Sequence, residues 1–179
     1  MAEVRRAVDL EPREGMRKAN AATVAYMSRH FDESLWWLSQ LEGPRFSTAR
    51  SAQQGLCQLA LGKPAEALAV LTSPDAAKDQ ISAFRKSVLG QVFAAEGRTV
   101  EAEAIAAELE ERAKQVYVSP YHRAVLQLAL RHNKRALELL NEAYERRDIS
   151  FRFIGADVAL DPLRNDPGLR SLLAKAGLP

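Results

Sequence analysis

Four small residues recur at a nearly constant interval in this chain: Ser34, Ala67, Ala102 and Ala136, separated by 33, 35 and 34 positions. Twelve residues before each stands another small residue, at Ala22, Gly55, Gly90 and Ala124. Four residues after each come Leu38, Leu71, Ala106 and Leu140. Small side chains at fixed spacing mark places where two helices nearly touch, because helix axes approach to about 8–10 Å only when little stands between them. A unit of helix, tight turn and helix, repeated with a period near 34, accounts for all three series at once. Within it Gly90 is expected to face Ala102, and leucine at either position should overpack the crossing by roughly 1–3 kcal/mol.

The punctuation agrees. Pro64, Pro74, Pro120 and Pro167 read as first-turn prolines, where a missing N–H costs nothing. Ser73, Ser119 and Asp166 precede three of them as N-caps. Gly62, Gly97 and Gly177 close apolar-periodic runs as left-handed helix stops. No stretch alternates with a period of two, and the apolar content is rich in alanine and leucine and poor in β-branched residues. The chain is therefore read as all-α.

The pattern resembles the tetratricopeptide repeat. Residues 87–109, "SVLGQVFAAEGRTVEAEAIAAEL", match best, with Leu89, Gly90, Phe93, Gly97, Ala102 and Leu109 in the family's places. "GLCQLALGKPAEALAVL" and "RAVLQLALRHNKRALELLNEAY" follow, although Arg131 replaces the usual turn glycine. "AATVAYMSRHFDESLWWLSQL" departs furthest, with Ser34 in place of alanine and Arg29 in place of glycine. The resemblance implies a right-handed superhelix of antiparallel helix pairs over the whole chain 1–179. Its repeats are 13–46, 47–79, 80–116 and 117–147, preceded by the end of an earlier repeat in 1–12 and followed by a capping segment in 148–179. The start is carried by "RAVDLEP", whose Ala7 lies 34 residues before Leu41. It implies an array opening on a half-repeat or cut from a longer polypeptide.

"DPLRNDPGLRSLLAKAGL" resembles the terminal segment of a large bacterial class of such arrays, through Asp161-Pro162, Leu163-Arg164, Asp166-Pro167 and Leu169, Leu172 and Leu173. "YVSPYHRAVLQLAL" at 117–130 is similar to that class as well. There the array follows a signalling domain, commonly a winged-helix DNA-binding domain, a serine/threonine kinase or a nucleotide cyclase. A last repeat needs a polar-faced helix over its open core, and residues 167–176 are expected to supply it.

Such an array binds on the concave side lined by the first helix of each unit. By helical phase the lining comprises Asn20, Thr23, Tyr26, Gln53, Leu56, Phe84, Ser87, Gln91, His122 and Val125. Amides and hydroxyls with a few apolar anchors suit an extended peptide or a partner helix. One subclass of the family holds chaperone carboxylates with a Lys–Asn–Arg clamp. The matching places here carry Ala19, Thr23, Gln53, Phe84 and Val88, so that clamp is missing. Trp36 and Trp37 are helical neighbours about 100° apart and cannot share one seam. One is expected to pack between units and the other to stand partly exposed as a possible interface, unless adjoining repeats cover both.

Chemistry is sparse. His30, His122 and His132 have no partner at metal-ligand spacing, so no metal is expected. Cys57, the single cysteine, lies between Leu56 and Leu59, a setting for an unreactive buried thiol, and forbids an intrachain disulfide. The acidic run "EAEAIAAELEER" reads as a solvated face with i,i+4 support to Arg112. "GKP" at 62–64 lacks the rest of a phosphate loop. A net charge of +2 with no basic block beyond two residues gives no nucleic-acid footprint. No apolar run is long enough for a bilayer, and the first residues lack the apolar core of a signal peptide. The expectation is a cytoplasmic, non-catalytic, cofactor-free interaction module, the regulatory or sensory part of a larger bacterial signalling protein. It would bind a protein or peptide; homodimerisation and reception of a small ligand or short peptide are the alternatives.

Overall fold

The computed structural model describes residues 15–43, 46–73 and 82–178. They are helical, with no strand among them. The helices are α1 (Gly15–Met27), α2 (Phe31–Ser39), α3 (Ser47–Ala60), α4 (Pro64–Leu71), α5 (Ala83–Ala95), α6 (Thr99–Ala113), α7 (Pro120–Ala129) and α8 (Asn133–Glu145). Two 3-10 helices, Ile149–Phe153 and Val158–Leu163, and a final helix α9 (Pro167–Lys175) complete the chain. Two compact units divide it after Arg85. The stretch 6–12, and Pro74 with the partner expected for the Ser73 cap, lie outside the described residues.

One turn recurs: besides closing α8 at Arg147 and α9 at Gly177, it joins the two helices of a pair at four places. At Arg29, Gly62, Gly97 and Arg131 the backbone enters the left-handed region, with φ of 63°, 73°, 75° and 64°. In each case that residue's N–H reaches the carbonyl three back, and the next N–H reaches five back: His30 to Ala25, Lys63 to Gln58, Arg98 to Phe93 and His132 to Gln127. Those paired bonds form the Schellman closure, which satisfies the orphan carbonyls of the first helix. The second helix then starts at once, with Ser34, Ala67, Ala102 and Ala136 donating to His30, Lys63, Arg98 and His132. Arginine thus adopts at two turns the conformation that glycine adopts at the other two. Pro64, Pro120 and Pro167 stand in first turns, and the Ser119 and Asp166 side chains cap α7 and α9.

All twelve residues of the three small-residue series are buried. In the first unit the Ser34 hydroxyl donates to the Ala22 carbonyl at 2.8 Å, bridging α1 and α2 where the other repeats carry alanine. The Cys57 thiol on α3 donates to Ser34 Oγ at 3.2 Å, and burial pushes it up to about 11, an unreactive state. Tyr26 stacks at a tilt on Phe31 with centroids 5.7 Å apart. In the second unit the close approach at Gly90 is to Leu126 of α7 and Ile105 of α6, rather than to Ala102. A Cβ there would come within 2.7 Å of Leu126 Cδ1 and 3.3 Å of Ile105 Cγ2. Glycine admits a leucine from the following helix pair.

Beyond α8 the chain closes the second unit's core. Ile154, Leu160, Leu163, Leu169, Leu172 and Leu173 are buried against Tyr121, Val125, Leu128, Leu139 and Leu140. The terminal helix is joined in this by two 3-10 turns, so residues 167–176 are one part of the closure.

Candidate functional site

The ten positions expected to line a groove divide sharply. In the first unit Asn20 is exposed, while Thr23, Gln53, Leu56 and Phe84 are partly exposed. Tyr26 is not available: only 2% of it meets solvent, because it packs in the α1–α2 core. In the second unit Ser87, Gln91 and Val125 are buried and His122 is partly exposed. The Ser87 hydroxyl donates to the His122 carbonyl at 2.6 Å, tying α5 to α7. Gln91 Nε2 turns back to the Ser87 carbonyl at 3.3 Å. Val125 belongs to the core shared with the capping segment. Tyr26, Ser87, Gln91 and Val125 are therefore corrected to interior positions, because neighbouring elements cover them.

His122 sits in a polar knot. Its Nε2 lies 3.2 Å from Ser150 Oγ in the first 3-10 helix. Burial pushes its pKa down to about 4, against a smaller opposing pull from the Asp148 charge. Asp148 follows the α8 turn, whose Arg147 is itself left-handed at φ 53°. One Asp148 oxygen accepts the Ser150 amide at 2.7 Å; the other accepts the Ser119 and Tyr117 hydroxyls at 2.6 and 2.9 Å. Burial works to raise this carboxyl, yet the donors from Ser119, Ser150 and Tyr117 outweigh it and leave the pKa below its ordinary value. The Tyr117 hydroxyl moves the other way, raised by burial and by its bond to Asp148.

The same device recurs. Asp157 accepts the Ala159 amide at 3.0 Å and the Tyr121 hydroxyl at 2.9 Å, and Asp166 accepts the Gly168 amide at 2.7 Å. Asp148, Asp157 and Asp166 are nine residues apart and each starts the next helical segment. Arg164 locks the intervening loop by donating to the Ile154 and Asp157 carbonyls at 3.0 and 2.9 Å. Sequence inspection caught Asp166 and missed the other two. The signal was present: "DIS", "DVA" and "DPG" each place an aspartate two residues before the amide it caps. Asp148 and Asp157 thereby tie the cap to Tyr117, Ser119 and Tyr121 at the start of α7.

A second omission concerns charge. Glu110, read as part of a solvated face, pairs with Arg123 of α7 and with Arg135 of α8 at 3.1 Å. The Arg123 side chain is only 7% exposed. Glu108 pairs with Lys86 on α5, so this run ties helices together as well as facing water. His132, in its turn, has Nδ1 2.8 Å from Gln127 Oε1.

Trp36 and Trp37 resolve as unlike neighbours. Trp37 is 4% exposed and Trp36 55%, with rings 4.5 Å apart and edge-on. Among the described residues no three His, Cys, Asp or Glu side chains gather as a metal would require. No described helix is long and apolar enough to cross a membrane. Comparison of the chain with protein-family models, curated proteins and solved structures finds no match.

Proposed function

We propose that the chain is a tetratricopeptide-like array acting as a non-catalytic protein–protein interaction module. In this reading the helix pairs stack as a right-handed superhelix and a peptide or partner protein lies along their first helices. The observation that supports it most is the single turn geometry repeated at Arg29, Gly62, Gly97 and Arg131. Where such a turn is followed at once by a second helix it gives a like helix pair, and like pairs in series stack with a constant small rotation that makes one side concave. The surface this reading uses is Asn20, Thr23, Gln53, Leu56 and Phe84, which are not fully buried. Such a mixture of amide, hydroxyl and apolar groups matches an extended chain, whose backbone needs partners and whose side chains need pockets. The resemblance of the terminal segment to bacterial signalling arrays makes it the regulatory or sensory part of such a protein. A buried thiol and no disulfide fit a reducing cytoplasm.

Photo-crosslinking tests this. A benzophenone amino acid at Asn20 or Leu56 should capture a protein partner from cells. The same group at Ala65, exposed on α4, should capture none. Equal capture at all three sites, or none at any, sinks the reading.

One observation favours a second use of the first unit. Trp36 leaves more than half its surface in water, as an aromatic interface anchor would. If it mediates a homodimer, sedimentation will depend on concentration and Trp36→Ala will abolish the dependence.

A further inference from the structure

The far end of the second unit carries a hollow that the groove reading leaves unused. Tyr144, Arg147, Phe151, Arg152, Ala176 and Leu178 line it as a shallow depression of about 420 Å³, open to solvent. Its aromatic part is fixed: the Tyr144 and Phe151 rings pack at 5.4 Å, and the Tyr144 hydroxyl donates to the Lys175 carbonyl at 3.2 Å. Its charge has one sign. The nearby Arg146 and Lys175 have carboxylates to answer them, Glu142 at 2.9 Å and Glu145 at 3.9 Å. Arg147 and Arg152 line the hollow and pair with no carboxylate among the described residues; the Arg152 guanidinium rests 4.6 Å over the Phe153 ring. Ile149, in the same 3-10 helix as Phe151, is 71% exposed.

An aromatic lining takes an apolar side chain, and a free guanidinium takes a carboxylate, often through two parallel hydrogen bonds. We propose that this hollow docks a segment of a partner protein in which an aromatic or branched apolar residue is flanked by acidic ones. Charge complementarity selects that occupant over an anionic bilayer. Membrane attraction needs a cluster of roughly 4–8 cations, whereas here two without a carboxylate partner among the described residues border a concave lining. The site shares no residue with the Asn20–Leu56 surface, so either proposal can fail without the other.

Arg147 offers a clean test because its backbone is already in the left-handed conformation that suits glycine. Arg147→Gly removes the guanidinium and eases the turn, as Gly62 and Gly97 show is possible at equivalent geometry. The probe is a fluorescent glycine–serine peptide carrying one phenylalanine between glutamates, titrated into the full chain by anisotropy. Binding should weaken at least about tenfold when glutamine replaces the glutamates, and likewise in Arg147→Gly and in Arg152→Gln. Arg131→Gly, the same backbone change at a turn away from the hollow, should bind as the native chain does. Circular dichroism confirms that each variant is folded. Undetectable binding by the native chain, equal affinity in Arg147→Gly, or binding only to phosphatidylserine vesicles would each overturn the proposal.

Discussion

Two helices that open a helix pair, α3 in the first unit and α7 in the second, hold corresponding residues in unlike surroundings. Gln53 and Leu56 on α3 are partly exposed, whereas on α7 Val125 is core and His122 is knotted to Ser150. Helical phase is the same in both cases. What differs is residues 148–175, which fold over α7 and α8 and convert a prospective binding face into an interior. An inner position in a repeat is therefore available or consumed according to what covers it. The small-residue seam that joins a helix pair is buried in both units alike.

The largest expected effect separates cap from surface. Leu163, 1% exposed, should cost roughly 3–4 kcal/mol when cut to alanine, through lost transfer energy and a residual cavity. Leu56→Ala, partly exposed, should cost about 1 kcal/mol. Urea unfolding measures both, and similar losses would erase the contrast between the units.

Acid should act on the second unit. The unfolded chain protonates His122 near the ordinary 6.5, while the folded chain resists to about 4. Stability contributed by that difference is intact above pH 6.5 and is lost as pH falls to about 4, at most roughly 3 kcal/mol. Asp148, with its depressed carboxyl, adds loss in the same direction as pH falls through its folded value. Both tryptophans lie in the first unit, so their fluorescence follows that unit while amide exchange in α7 follows the other. α7 amides should lose protection at higher pH than the fluorescence changes, and His122→Gln should flatten the dependence. One coincident transition would join the units into a single cooperative block.

Asp148→Asn should destabilise by about 2 kcal/mol, since an amide cannot replace a carboxylate that accepts three donors at once. Calorimetry should show the loss at neutral pH; an unchanged Tm would mean that the cap does not depend on this junction. The smallest effects concern the turns. Arg131→Gly should stabilise by about 0.5–1 kcal/mol by relieving a left-handed arginine, and Gly97→Ala should cost about 1 kcal/mol. Should both be neutral, the four turns tolerate any residue and their equivalence is topological only.

Much of this architecture was legible in advance, and for local reasons. The Schellman turns at Gly62 and Gly97 follow from glycine's freedom, and the Pro120 and Pro167 starts from proline's missing donor. Arg29 and Arg131 were legible only by register, since nothing about arginine favours a positive φ. The cap's 3-10 turns escaped notice because segments of five and six residues carry no useful periodicity. Glu110 was misjudged because its partners Arg123 and Arg135 come from later helices. Ser87 and Val125, buried by His122 of α7 and by the capping segment, escaped for the same reason.

By itself the sequence determined where the paired helices lie and where the chain reverses between them; the partner at a close approach, Leu126 at Gly90, it did not. Those features arise from backbone sterics and side-chain size over a few residues, repeated every 34 or so. Only the tertiary structure decided which faces remain open. Exposure depends on what some distant segment lays over a helix, and the Leu163 that packs with Val125 stands 38 positions away along the chain, beyond the reach of any local pattern.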